Sequence, residues 1–354
     1  MNTQETGHIS LQAVLIAVLL AVTAIGAWEG YCRSERYQLK PNDDKHLWAE
    51  QRHKLTDLSS EDVVVVGSSR IMFDIQLDTW EELEGRKPVM LAVAGSPAMP
   101  VLRDVVHNSD FAGTLILGVS PSLYFAPLTK EQHGYNKIQK WIDHYHNRTY
   151  ADRLGHFLAV NGPQKLFTFL TSTEGDFYNE LDLRTLLKRI PLGQRLPALP
   201  PFPILYQVNE DRNVNLMPQV AEAGLYQDQI KTFWNTVFTP KSEDIPSEEE
   251  QLEIKNKIIT ESVELVQAFE KRGGKVILVR CPSQDNVLKI EEELYPRNQY
   301  WNSLSKKLGV PSYYFRDYNF MNKYELPEMS HMKGEDARNF TADFIAQLKK
   351  DNQL

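Results

Sequence analysis

Only two cysteines, Cys32 and Cys281, occur in the 354 residues. Two cysteines so far apart make neither a disulfide framework nor the paired spacing of a zinc knuckle, and they leave the redox compartment open. No lysine- and arginine-rich run is present and the net charge is −8. Nucleic acid, which requires a basic face, is therefore not an expected partner. No phosphate-cradling glycine loop is found, and the glycines after the first strand do not make Gly-x-Gly-x-x-Gly. Internal repeats and low-complexity tracts are also lacking. What remains, 42% apolar and 24% charged residues, is the balance of an ordinary folded protein. It excludes a disordered chain, a collagen-like repeat and a polytopic membrane protein.

Charge is missing altogether from Ile9 to Trp28, ISLQAVLIAVLLAVTAIGAW. At about 1.5 Å per residue this helix just crosses a hydrocarbon core of roughly 30 Å. Trp28 and Tyr31 stand where an interfacial aromatic belt belongs. Residues 1–30 are thus expected to form an N-terminal membrane anchor. Its direction is contested: MNTQETGH carries no basic residue, whereas Arg33, Arg36 and Lys40 follow the apolar run. By the positive-inside count the C-terminal side would be cytoplasmic. Ala24 and Gly26 are small enough to precede a cleavage point, so a cleaved signal stays an alternative.

Residues 31–58 read as a linker and first helix. Beyond them, short apolar strands alternate with helical patterns. The strands are EDVVVVG (Glu61 to Gly67), KPVMLAVAG (Lys87 to Gly95), GTLILGVS (Gly113 to Ser120), GKVILVRCP (Gly274 to Pro282) and VPSYYFRDY (Val310 to Tyr318). Continuous β-branched runs suit strands buried on both faces. The clearest helix runs from Ser247 to Lys271, opened by Pro246-Ser247 with Glu248 to Glu250 in its first turn and closed by Gly273-Gly274. This alternation predicts an α/β three-layer sandwich, flavodoxin-like, with a five-stranded parallel sheet over residues 59–350. About 150 residues between the third and fourth strands are too many for one crossover. An insertion at about 125–246 is expected, helical over 129–190 and proline-rich and irregular over 191–246.

Sites in such sheets form at the C-terminal strand ends. There the sequence places Gly67-Ser68-Ser69-Arg70, Gly95-Ser96-Pro97 and Gly118-Val119-Ser120-Pro121, and near the C-terminus Glu328-Met329-Ser330-His331. A serine hydroxyl needs a base within hydrogen-bond reach, histidine is the usual base, and a carboxylate fixes its tautomer. Taken singly, Ser68 or Ser69 also suits a helix cap and His331 a surface position. Glu328, three residues before His331, is the expected orienting acid, and Asp317 at the end of the fifth strand is its rival. Arg70 and Arg280, both at strand ends, suit either an anionic sugar in the cleft or a structural ion pair. His144-Tyr145-His146 offers two metal ligands at most and reads as a solvated helix face. Asn147-Arg148-Thr149 matches a glycosylation sequon. Trp141, Trp234 and Trp301 read as core before they read as sugar-stacking platforms.

In this order these motifs resemble the SGNH (GDSL-like) hydrolase superfamily, and within it the membrane-anchored envelope branch. That branch includes the alginate O-acetylation proteins and the D-alanine transfer protein of teichoic acid. The resemblance covers residues 60–345 apart from the insertion. It implies Ser69 as nucleophile, His331 as base, and oxyanion donors at Ser69, Gly95 and Ser120. Two positions depart from the family pattern: Ser120 stands where asparagine is usual, and Glu328 where aspartate is usual. The implied activity is O-acyl transfer, commonly acetyl, to an envelope or secreted polysaccharide. A carbohydrate esterase and a non-catalytic polysaccharide-binding or assembly factor are the alternatives. The resemblance also implies an extracytoplasmic, periplasmic domain, an acyl donor delivered by a multispanning membrane-bound O-acyltransferase, and no cofactor or metal.

Overall fold

The computed structural model describes residues 10–34, 39–129, 132–170, 205–239 and 246–354. Five strands form one wholly parallel sheet: β1 (Val63–Val66), β2 (Val89–Met90), β3 (Thr114–Gly118), β6 (Lys275–Arg280) and β7 (Ser312–Tyr314), in the order β2-β1-β3-β6-β7. Their register is fixed by pairs such as Val64 with Leu115 and Ile116 with Ile277. All four β1 residues and all five of β3 are buried, which explains why these runs carry no polar alternation. The expected strands are all present, and each is shorter than its apolar run.

Helices cover the sheet. On one side α5 (Met99–His107) packs on α11 (Glu248–Lys271), and α11 on α13 (Trp301–Leu308). Elsewhere α14 (Gly334–Lys350) packs on α3 (Ser69–Asp74) and α4 (Leu77–Glu84). The α11 boundaries follow the sequence signals closely, since Ser247 and Glu250 close a reciprocal capping box. The result is a three-layer α/β sandwich, and the strand order reverses between β1 and β3, the position at which such sheets bind their ligands.

The region between the third and fourth core strands is woven into the body rather than laid over it. Helices α7 (His133–Asn147), α8 (Tyr150–Asn161) and α9 (Pro163–Leu166) are followed by a hairpin of β4 (Tyr206–Val208) and β5 (Val214–Leu216) and by α10 (Leu225–Phe238). Residues 171–204 and 240–245, which include the second part of the expected helical stretch 129–190 and the proline-rich stretch 191–203, lie outside the described residues. The irregular structure expected over 191–246 is corrected where the chain is described, because 206–216 is a hairpin and 225–238 a helix. Arg212 of the hairpin is fully buried, donating to Asp43 at 2.7 Å and to the Met90 carbonyl at 2.9 Å. Asn213 accepts the Leu77 amide at 2.8 Å and so caps α4.

Residues 39–54 also join the body. The helix α2 (Lys45–Lys54) is capped by Asp44, whose carboxylate accepts the His46 and Leu47 amides. Trp48 is fully buried and donates to the Leu91 carbonyl at 3.1 Å. The N-terminal helix α1 (Leu11–Ser34) is the one helix among the described residues long and apolar enough to cross a membrane. Its apolar side chains, such as Leu15, Leu19 and Val22, are exposed.

Candidate active site

β1 ends at Val66, Gly67 turns the chain, and Ser68 stands at the N-cap of α3 with an extended backbone. The turn is tight because Ile71 rests against two glycines. A Cβ on Gly67 would lie 2.5 Å from the Ile71 Cγ2, and one on Gly118 2.6 Å from the Ile71 Cβ. Glycine at both positions lets α3 sit directly on the strand ends. Ser69, the first helical residue, is half-buried. Ser68 is the more deeply buried serine, and its hydroxyl has no hydrogen-bond partner among the described residues. Neither serine makes a capping bond through its side chain, so the plain cap reading does not account for them.

His331 and Glu328 meet in a tight turn ahead of α14. Met329 adopts φ +74°, a left-handed conformation uncommon for a long side chain. That turn folds the Glu328 carboxylate back on its own chain. One oxygen accepts the His331 amide at 2.6 Å, the Ser330 amide at 3.3 Å and the His331 Nδ1–H at 2.9 Å. The other accepts the indole N–H of Trp234 from α10. Glu328 is fully buried and His331 almost so. A carboxylate on Nδ1 fixes the proton there and leaves Nε2 as the basic nitrogen. The Nε2 is buried and has no partner among the described residues.

The imidazole faces α3. The Phe73 ring stacks on it at 4.3 Å between centroids, and Ser69 precedes Phe73 by four residues, one turn along the same helix face. The neighbours of the two residues also touch, for Arg70 Nε donates to the Ser330 hydroxyl at 3.2 Å. Ser69 and His331 are thus brought to one side of α3, but no hydrogen bond joins Ser69 to Nε2. Gly95 follows β2 in a left-handed turn, φ +69°. The start of α7 crowds that turn, since a Cβ on Gly134 would lie 2.2 Å from the Gly95 carbonyl oxygen. Ser120 begins the short helix α6 (Pro121–Tyr124) and makes no side-chain cap.

The carboxylate on His331 is that of Glu328, and the rival acid Asp317 does not orient the imidazole. Asp317 is exposed beyond β7 and holds Arg297 through both oxygens, at 2.8 and 2.5 Å. Arg70 and Arg280 do not line an open cleft either. Both are buried, and both converge on Glu291, Arg70 at 2.8 Å and Arg280 at 2.7 Å. The Ser283 hydroxyl adds a bond of 2.9 Å to the same carboxylate. Burial alone would raise the Glu291 pKa, but the two guanidiniums outweigh it and hold the carboxyl below its ordinary range.

Glu328→Gln separates the two acids. A glutamine has one acceptor oxygen for the donors that two carboxylate oxygens now serve, so either the imidazole or the indole faces an NH2 group. Any reaction in which His331 serves as the base should slow by up to about 10⁴-fold, the loss seen when a triad carboxylate becomes an amide. Asp317→Asn, which breaks an exposed pair worth under about 1 kcal/mol, should leave activity unchanged. Steady-state rates of the two variants check this, and the reverse pattern overturns the assignment.

Sequence reasoning did not single out Trp234 as a partner of Glu328, because the indole reaches it from 94 residues away. Nor did it single out Asp74, at the end of α3. Asp74 is fully buried, beside the Cys281 thiol and the Met332 backbone. Burial pushes its carboxyl up to about 8, opposed by hydrogen bonds from the Cys281 thiol and the Met332 amide and by the Arg70 charge, with the Glu328 charge adding to the rise. The native state therefore keeps a proton that the unfolded chain loses near pH 4. Its contribution to stability is full below pH 4 and falls by about 1.4 kcal/mol per pH unit as the pH rises towards 8. The melting temperature of Asp74→Asn relative to the parent should accordingly climb between pH 5 and 8.5. A difference flat across that range would sink the assignment.

The remaining candidates carry less. His144 meets His46 edge-on at 4.4 Å, and His46 stacks on His156 at 5.7 Å. Burial, with the neighbouring His46 and Lys45 charges, lowers His144 to about 4. No group of metal-ligating side chains arranged to hold an ion occurs among the described residues. The Thr149 hydroxyl of the sequon is taken up in the capping box of α8. Trp141 and Trp301 are buried in the core. No family model matches the chain, and no curated protein matches it at a significant level of similarity.

Proposed function

We propose that the chain is a membrane-anchored serine O-acyltransferase of the SGNH type, acting on a cell-envelope or secreted polysaccharide. The observation that carries this reading is the His331 imidazole. It is fixed at Nδ1 by Glu328, has an Nε2 with no partner among the described residues, and stacks on Phe73, one turn along the helix that Ser69 begins.

In the proposed reaction the Ser69 oxygen attacks the acyl carbonyl carbon while its proton passes to His331 Nε2. The donor's leaving group departs with that proton, and an ester remains on Ser69. A sugar hydroxyl then attacks the ester and gives its proton to Nε2. The acyl group leaves on the sugar and the proton returns to Ser69. Glu328 stabilises the transient imidazolium. The Ser69 and Gly95 amides and the Ser120 hydroxyl serve the developing oxyanion, where each donor is worth about 3 kcal/mol. Water in place of the sugar makes the same site an esterase.

The anchor keeps the domain beside the multispanning acyltransferase that delivers the acyl group, on the extracytoplasmic side. Protease added to spheroplasts should digest the domain, and full protection would place it in the cytoplasm. A second reading, a polysaccharide-binding or assembly factor, draws on the missing Ser69–His331 hydrogen bond and on the near-complete burial of His331. Incubation with a small acetyl ester followed by mass spectrometry decides between them. An acetyl group on Ser69 is expected, and an unmodified protein that also resists a fluorophosphonate probe favours the binding factor.

A further inference from the structure

The outer face of α8 is apolar and exposed. Tyr150, Leu154, Phe157 and Leu158 are 71, 41, 60 and 57% exposed, and Leu166 at the end of α9 is 63% exposed. At 100° per residue the four α8 side chains fall within one arc of about 100°. The opposite side of the helix carries Val160, which is buried, and His156, which stacks on α2. A domain helix with its apolar stripe turned away from its own core needs an occupant for that stripe. Among the described residues nothing covers it.

The end of the apolar N-terminal helix indicates which occupant. The last turns of α1 are tied to the segment that follows α8. The Glu29 carboxylate accepts the Thr168 amide at 3.0 Å and the Phe169 amide at 3.3 Å. Arg33 pairs with Glu29 at 2.7 Å and lies 3.5 Å from the Leu166 carbonyl oxygen. Glu29 is the first charged residue after the apolar run, directly beyond Trp28, which stacks with Tyr31. From Trp28 to Arg33 the helix rises only about 7.5 Å. If α1 spans a bilayer, residues 166–169 therefore sit at headgroup depth, next to α9 and to the helix α8 packed against it. Phe167 and Phe169, 5.3 Å apart, add an aromatic pair of the kind that settles at a membrane interface.

We propose that α8 and α9 lie on the membrane surface beside the α1 span, with Tyr150, Leu154, Phe157, Leu158 and Leu166 dipping into the boundary between headgroups and acyl chains. A polar flank with an inward-facing remainder and an outward apolar stripe is the pattern of an interfacial helix. The span and the surface helix then fix the domain at two points. This holds the domain in one orientation on the bilayer instead of leaving it to swing on a single tether. The inference rests on α1 being a membrane span and is independent of the chemistry proposed for Ser69.

Nitroxide labels on the full-length protein test it, one copy per nanodisc of phosphatidylethanolamine and phosphatidylglycerol. Both native cysteines are buried, so single introduced cysteines report locally. Labels at Phe157→Cys and Leu158→Cys should collide several-fold more often with oxygen than with a nickel chelate, as lipid-embedded sites do. Leu252→Cys, exposed on α11, should show the reverse in the same discs. Water-like collision ratios at both Phe157 and Leu158 overturn the proposal. Protection that arises only in discs holding two copies overturns it too, and assigns the stripe to self-association.

Discussion

Ser69→Ala is expected to abolish both the acetyl adduct and acyl transfer, by at least about 10³-fold, while the melting temperature moves little. The hydroxyl is half-buried and makes no hydrogen bond among the described residues, so its removal costs no more than about 1 kcal/mol. His331→Ala should be as severe for activity, because groups acting as one unit do not contribute additively. Its stability effect should be larger, since the variant strips the Phe73 ring of its stacking partner and leaves Glu328 one donor short. Ser68→Ala provides the contrast. That hydroxyl is buried and unpartnered, so its loss should be neutral or slightly stabilising and should leave the adduct in place. Full adduct formation by Ser69→Ala together with its loss in Ser68→Ala would move the nucleophile by one residue.

Glu291→Gln should be the most destabilising single conservative change near the site. It leaves two buried guanidiniums, Arg70 and Arg280, sharing one neutral acceptor. Breaking a buried ion network by removing the shared partner typically costs about 3–5 kcal/mol. For a chain of this length that is a fall of roughly 4–7 °C in melting temperature. Activity should drop as well, because Arg70 adjoins Ser69 and bonds Ser330, the neighbour of His331. The network thus sets the spacing between the start of α3 and the histidine loop. The native carboxyl titrates below its ordinary range, so the stability it provides is present above about pH 4 and is lost as the pH falls through the native value. The gap between parent and variant should accordingly shrink in acid. Calorimetry at pH 7 and pH 3.5 measures both, and equal melting temperatures at pH 7 would show that the arginines are held some other way.

The five parallel strands, the long capped helix α11 and the apolar N-terminal helix were legible in the sequence. Each is written in local pattern: β-branched runs ending at glycine, a capping box, and twenty residues without charge. The candidate site was legible in its positions and only partly in its partners. Glu328 and His331 are three residues apart, so their pairing is close to a local fact. The fates of Asp317, Arg70 and Arg280 were not legible, because a charged residue at a strand end reads the same whether it faces a substrate or a buried counter-ion. Only the packing of α12 (Asp285–Leu294) against the strand ends, which brings Glu291 between the two arginines, decided the matter. Trp234 and Asp74 belong to the same class. The first reaches Glu328 from an inserted helix, and the second is ionisable in sequence but is driven to its neutral form by complete burial. The sequence by itself determined which elements form and where reactive side chains enter the strand ends, since hydrophobic periodicity and turn chemistry act over a few residues. Tertiary structure alone decided which of those charges meet each other, because the energy of a buried charge depends on neighbours brought in from hundreds of residues away.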